Sequence, residues 1–253
     1  MKNTFKTGVI ALVLFAAPAC KKEKIEQNPS VAADVVTLKI EHQWGNQPFV
    51  LNTDLVNPYT GDSLNFTAFK YYVSNIRLKK ENGTWWSQPD SYFLLDLSSS
   101  TTSSIQLNGV PHGEYTEIEY TLGVDSTRNV SGAQAGALSP SHGMFWSWNS
   151  GYIMLKAEGT SPHASMGGSF AFHLGGFSGP NNVVTKKAHV FAGNNLSVAG
   201  NGNCQVRISA AVETLWQTVG SVSVNSMIHM PGSGAKTMAD DFYGSFAFES
   251  IQE

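Results

Sequence analysis

The stretches Val35–His42 (VVTLKIEH) and Tyr115–Val124 (YTEIEYTLGV) decide the fold class, because apolar and polar residues alternate along both of them. Side chains two residues apart on a strand point to the same side, so the first stretch places Val36, Leu38 and Ile40 on one face. No segment of the chain shows sustained apolar periodicity of 3.6 residues. We therefore expect an all-β protein.

Further stretches with strand character are separated by clusters of Gly, Asn, Pro and Ser. Besides the two above, the predicted strands are Phe69–Lys79, Tyr92–Leu97, Ile105–Leu107, Gly143–Trp148, Tyr152–Glu158, Ser169–Leu174, Lys187–Phe191, Gln205–Val212 and Phe242–Ser250. Roughly ten strands in residues 35–253 fit a single antiparallel β-sandwich or barrel-like domain with long loops. Between two runs, Asn82-Gly83 predicts a hairpin turn.

Charge and motif content exclude several classes of function. The chain has 16 Lys and Arg against 19 Asp and Glu, so it lacks the basic excess that neutralises rows of phosphates. We expect no nucleic-acid partner. The sequence also lacks the nucleophile elbow, the zinc-protease helix motif and the phosphate-binding loop of the common enzyme classes. We expect no catalysis by this chain.

The beginning of the chain predicts export. Lys2 and Lys6 precede an apolar run over residues 8–19, which is too short to span a bilayer but matches a secretory signal. The run ends in small residues before Cys20, which resembles the bacterial lipoprotein signal, although Ala17 stands where such signals usually carry Leu. Ordinary cleavage nearby is the alternative. We expect a signal peptide over residues 1–19, a lipid anchor at Cys20, a tether over residues 20–34 and a β domain over residues 35–253.

This arrangement places the domain in the bacterial periplasm or on the outer-membrane surface, held to a membrane by its lipid. Cys204 is the second of the two cysteines. If Cys20 is acylated, Cys204 has no partner for an intramolecular disulfide, and we expect it to be a half-buried thiol.

The unusual inventory is seven His, seven Met and six Trp in a chain with only 14% charged residues. Imidazole and thioether groups suit copper.

The positions of individual histidines and tryptophans leave alternatives open. His42 continues the apolar alternation of its strand, so it is either a core histidine or a ligand. His173 lies opposite the neighbouring phenylalanines and faces either solvent or a site. His229 lies among methionines. Trp146 and Trp148 share one side of a strand, where an aromatic core stripe is the alternative to a functional pair.

Several stretches together resemble the MbnP family of exported copper-binding proteins. They are Phe69–Lys79 (FKYYVSNIRLK), Gly123–Gly136 (GVDSTRNVSGAQAG), Gly143–Gly159 (GMFWSWNSGYIMLKAEG), Phe172–Phe177 (FHLGGF) and Ala239–Phe248. The resemblance implies a β-rich protein that binds copper, in some members through a tryptophan that a partner diheme enzyme of the MbnH type oxidises to kynurenine. It implies Trp146 or Trp148 as the modified residue, His42 and His173 as imidazole ligands, and His229 as a further ligand.

Two other expectations remain open at this point. The long segment Asp125–Pro140 is either a docking surface for the oxidising enzyme or a calcium site built on Asp125 and neighbouring carbonyl groups. The alternative function is a surface lipoprotein that binds glycan or protein, with Trp85, Trp86, Trp146 and Trp148 as stacking platforms. A purely structural lipoprotein is the third interpretation.

Overall fold

The computed structural model describes residues 32–99, 104–147, 150–165, 167–200 and 204–252. The predicted signal peptide, Cys20, most of the tether and Trp148 lie outside the described residues. Among the residues that are described, no helix is both long and apolar enough to cross a membrane.

The structure confirms the all-β class. The strands are β1 (Ala33–Trp44), β2 (Gln47–Pro48), β3 (Asp54–Val56), β4 (Ser63–Lys80), β5 (Trp85–Ser87), β6 (Tyr92–Asp96), β7 (Ser104–Pro111), β8 (Gly113–Leu122), β9 (Phe145–Ser147), β10 (Gly151–Thr160), β11 (Ser169–Gly175), β12 (Thr185–Val190), β13 (Leu196–Val198), β14 (Gln205–Ala211), β15 (Met227–Ile228) and β16 (Ala247–Gln252). The α-helices are α1 (Ser126–Val130) and α2 (Ser233–Gly244), with short 3-10 turns at Gly136–Leu138, Pro140–His142, Gly179–Asn181 and Val212–Trp216.

The strands form two sheets. The first has the order β16-β14-β1-β2, with β7 also on β1. The second has the order β12-β8-β4-β10-β11-β15, and the short strands attach to it, β13 on β8, β9 on β10, and β3, β5 and β6 on β4. Two pairings, β1 with β14 and β11 with β15, are parallel. The expected wholly antiparallel arrangement is therefore corrected at these two places.

An aromatic core fills the space between the sheets. Phe66 and Phe69 of β4 and Phe172 of β11 are fully buried, and Trp44 of β1 makes an edge-to-face contact with Phe66. Trp216, from the 3-10 turn after β14, contacts Phe66 and Phe172. Such edge-to-face pairs are favourable because the positive ring edge meets the negative ring face. The core therefore lies on the inner face of the second sheet, and the alternate side chains of its strands form an outer face.

The helix α2 corrects the strand predicted from Phe242 to Ser250, of which only the end is extended. Its buried residues are Ala235, Met238, Ala239, Phe242 and Tyr243, the spacing of one helix face. The alanines made this apolar stripe weak in the sequence. Phe242 packs against Phe69, with ring centroids 5.4 Å apart, so the helix closes over the core.

The predicted hairpin turn is confirmed between β4 and β5. Gly83 adopts a φ of 85° and donates its backbone N–H to the carbonyl of Lys80 over 2.8 Å. This left-handed conformation is one that glycine adopts without a steric penalty.

Candidate metal centre

The register of three neighbouring strands builds two rows of side chains on the outer face of the second sheet. One row runs from Lys156 on β10 to His173 on β11. The next row runs from Glu158 on β10 through Ala171 on β11 to Met227 on β15. Because side chains alternate along a strand, these positions lie opposite the buried Phe172 and Ala157.

His229 lies beside His173 because the chain leaves β15 parallel to β11. Phe172 is paired with Ile228, so the next residue of each strand falls side by side. The two imidazole rings stack with centroids 4.5 Å apart and planes 20° apart. Residues from two distant parts of the sequence thus bring four ring nitrogens onto one small area. We call His173 and His229 the histidine pair.

Glu158 binds one edge of the pair. Its Oε1 lies 2.7 Å from Nε2 of His173, and the Nζ of Lys156 lies 3.2 Å from the same oxygen. Burial alone would raise the pKa of Glu158, but the hydrogen bonds from His173 and Lys156 outweigh it and lower this pKa below its ordinary value. Glu158 is therefore an ionised acceptor at neutral pH.

His173 is neutral under the same conditions. Desolvation lowers its pKa, and the electrostatic effects of Lys156 and His229 act in the same direction, while the hydrogen bond and charge of Glu158 partly oppose them. A neutral imidazole keeps a lone pair on one nitrogen, which is the form that binds metals. This electrostatic environment suits a ligand rather than a surface cation.

Trp146 packs on the same outer face, over Gly175 of β11. A Cβ built on Gly175 would lie 2.4 Å from Cζ3 of Trp146, so the indole rests directly on the backbone of this glycine. Gly175 follows His173 by two residues and lies on the same face. Trp146 is half-buried and belongs to β9, which pairs with β10. The structure therefore places Trp146 on the same face as His173, over the glycine two residues further along β11.

His42 lies elsewhere, between the two sheets. Its Nε2 is 2.8 Å from the hydroxyl of Tyr71, and its ring makes edge contacts with Tyr71 and Phe69 on the inner face. Burial lowers its pKa to about 4. His42 belongs to the first sheet and faces the inner side of the second, whereas His173 lies on the outer face of the second sheet. The two do not converge, and the expectation of a shared His42–His173 site is corrected. The alternation of β1 already pointed His42 into the core.

A cleft of about 570 Å³ opens beside His42. Its described lining contains no second histidine, no cysteine and no methionine. A single imidazole is a weak metal site, so we place the candidate centre at the histidine pair rather than at this cleft.

The segment after β8 has a structural role. The carboxylate of Asp125 accepts hydrogen bonds from the hydroxyl of Tyr92, the amide of Asn75 and the backbone N–H of Arg128, which caps α1. These groups are donors, whereas Ca²⁺ needs surrounding oxygen ligands. The expected calcium site at Asp125 therefore finds no support in the structure.

Two residues of the site were missed at the level of sequence, Glu158 and Met227. Glu158 alternates with buried Ala157, which marks it as outward-facing, but only the strand register brings it to His173. Met227 is 43% exposed at the rim of the same face. Within the described ranges, no group of three or more His, Cys, Asp or Glu side chains is arranged to hold a metal ion.

Cys204 lies away from this face. It is buried, and its thiol donates to the carbonyl oxygen of Ser197 over 3.1 Å. Cys204 is therefore more deeply buried than the expected half-buried thiol, and its side chain packs in the core.

Together these features define a class: a double-sheet β protein with two stacked imidazoles and a tryptophan on one outer face. The sequence model of the MbnP family matches residues 33–230, and the chain belongs to that family. Among solved structures, it is similar to MbnP from Methylosinus trichosporium, with a TM-score of 0.52, 16% sequence identity and coverage of 80% of this chain and 82% of that one. At this identity the likeness shows a shared fold. No curated protein matches the sequence.

Proposed function

We propose that this protein binds copper at the histidine pair without catalysing a reaction. The observation that carries the proposal is the stacking of His173 on His229, on a face where burial lowers the pKa of His173 and where Trp146 packs on Gly175. Two imidazole donors suit copper, and the exposed thioether of Met227 adds a soft donor at the rim. Membership of the MbnP family supports the same assignment.

We further propose that Trp146 or Trp148 is oxidised to kynurenine by a diheme partner of the MbnH type. An intact indole is a poor ligand because the lone pair of its nitrogen belongs to the ring. Opening the ring exposes an aryl amine beside a ketone and so supplies a usable nitrogen donor. Trp146 is favoured by its position on the same face as His173. The step cleaves the C2–C3 bond of the indole in a four-electron oxidation: C3 becomes the ketone, C2 leaves as formate and the ring nitrogen becomes the aryl amine. We propose that the haems of the partner carry out this oxidation with a peroxide-class oxidant, two equivalents for each tryptophan.

We also propose that the chain is exported and anchored through a lipid on Cys20, in the periplasm or at the outer-membrane surface. The apolar run before Cys20 and the polar tether after it support this proposal. Incorporation of labelled fatty acid into the full-length chain tests it. A Cys20→Ser variant should lose the label and enter the soluble fraction, and a variant that keeps the label would contradict the anchor.

The copper test measures metal content and intact mass after expression with and without the diheme partner. The wild-type protein should carry copper, whereas His173→Ala with His229→Ala should reduce it to background. His112→Ala is the matched control, because His112 is partly exposed and pairs with Asp34 instead. Absence of copper above background in both wild-type preparations would refute the proposal. Peptide mapping then locates kynurenine at Trp146 or Trp148, with Trp86→Phe as the control substitution.

The alternative of a glycan- or protein-binding module has less support from the geometry. Trp85 lies beneath the guanidinium of Arg77, 4.1 Å from its ring centroid, so one ring face is covered. Trp86 is partly buried against the core. Trp146 lies on Gly175. The described tryptophans therefore do not form a flat exposed platform.

A further inference from the structure

The hydrogen bond between Glu158 and His173 determines where the proton of this imidazole resides. An ionised carboxylate has no hydrogen to donate, so the 2.7 Å contact requires the N–H to be on Nε2 of His173. The Nζ of Lys156 reaches the same carboxylate oxygen and donates as well. A neutral ring with its proton on Nε2 has its lone pair on Nδ1.

We propose that Glu158 is a positioning residue that fixes His173 in the Nε2–H form, so that Nδ1 is the nitrogen presented to a bound metal. The part of this inference that concerns metal rests on the proposed function. The part that concerns the proton is independent of any metal. Nothing in the family assignment or in the structural similarity gives Glu158 this role.

The sheet is built to let Glu158 reach the ring. Its direct neighbours across the sheet are Ala68 on β4 and Ala171 on β11, whose small side chains leave the carboxylate unobstructed. Lys156 is the direct partner of His173, so Glu158 is its diagonal neighbour. Diagonal neighbours on a sheet lie within reach of long side chains.

His173 is thereby held from two directions. Glu158 binds one ring edge and His229 stacks on one ring face. The side chain of His173 is only 14% exposed, which limits competition from water for the Glu158 bond. A carboxylate partner also makes an imidazole a stronger electron donor, and loss of such a partner costs metal affinity by roughly 10–100-fold in other sites.

The experiment uses nitrogen-15 histidine labelling of the protein, with silver(I) as a substitute for copper(I) that, unlike copper(I), is not oxidised in air to a paramagnetic ion. In the metal-free wild type, we expect His173 to show a slowly exchanging proton on Nε2. Glu158→Ala should lose this protection. Glu158→Gln should keep much of it, because the amide oxygen still accepts a hydrogen bond. Glu117→Gln is the matched control, since Glu117 pairs with Lys79 on another part of the sheet.

Silver(I) should then shift the Nδ1 resonance of His173 rather than Nε2, and Glu158→Ala should bind silver roughly 10–100-fold more weakly, with the control unchanged. A proton on Nδ1 in the metal-free protein, a metal-induced shift at Nε2, or unchanged affinity in Glu158→Ala would each overturn the inference. If silver and copper do not bind the wild type at all, the proposed function fails, while the proton position in the metal-free protein still decides the role of Glu158.

Discussion

Replacement of Gly175 by alanine tests the position of Trp146 most directly. The added Cβ would lie 2.4 Å from Cζ3 and 2.8 Å from Cη2 of the indole, and 3.0 Å from the carbonyl oxygen of Tyr152. Since carbon atoms in contact are about 3.5–4.0 Å apart, the ring must move by about 1 Å or more. Such overpacking costs about 1–3 kcal/mol. For a domain of this size, that cost lowers Tm by about 2–12 °C.

The assay combines thermal unfolding, tryptophan fluorescence and the yield of kynurenine after co-expression with the diheme partner. We expect a lower Tm, a changed emission spectrum and less modified protein. Gly244→Ala is the control, because a Cβ there meets no atom within 4 Å and the glycine lies at the end of α2. A Gly175→Ala variant with the Tm and emission of the wild type would refute the placement of the indole on this glycine.

The remaining predictions concern His42 and Asp125. The buried imidazole of His42 has a pKa of about 4, against about 6.5 when unfolded, so the unfolded chain binds more protons between these values. The contribution of His42 to the free energy of unfolding should be fully present above pH 6.5 and should fall by about 3 kcal/mol as the pH drops to 4. In urea titrations, His42→Leu should flatten this decline. An unchanged decline would refute burial of a neutral ring. His42→Leu should also retain the copper content of the wild type, and loss of copper would return His42 to the site. Asp125→Ala should lower the free energy of unfolding by about 1–3 kcal/mol, because it removes the cap of α1 and the partner of Tyr92. Calcium and EDTA should give equal Tm values in scanning calorimetry, whereas a rise with calcium would restore a cation site at Asp125.

The strands were predictable because a strand that buries one face alternates apolar and polar residues with a period of two. In β1, the alternation of Val36, Leu38 and Ile40 also predicted that His42 points inward, as the structure shows. It was the family resemblance, and not the strand pattern, that assigned His42 to a metal site. Here local periodicity was the more accurate guide to the position of the side chain.

The grouping of the site could not be read from the sequence. His173 and His229 meet only because β15, a strand of two residues, adds in parallel to β11. Two residues are too few to leave a periodic signal. The diagonal contact of Glu158 with His173 likewise depends on register between strands, which the pattern of a single strand does not contain.

The parallel pairing of β1 with β14 has a consequence for how the chain acquires its structure. Thr37 is the partner of Gln205, so the hydrogen bonds between these strands join a segment near the start of the domain to one near its end. They cannot form until the later segment has been synthesised. Contacts between such remote segments slow folding, because a long loop must close before the contact is gained. A nascent chain whose β14 has not yet been synthesised leaves one edge of β1 unpaired, and an unpaired strand edge can pair with other chains. The pairing of β1 with β14 can therefore form only after most of the domain has been synthesised, whereas the pairing of β1 with β7 needs no residue beyond Pro111.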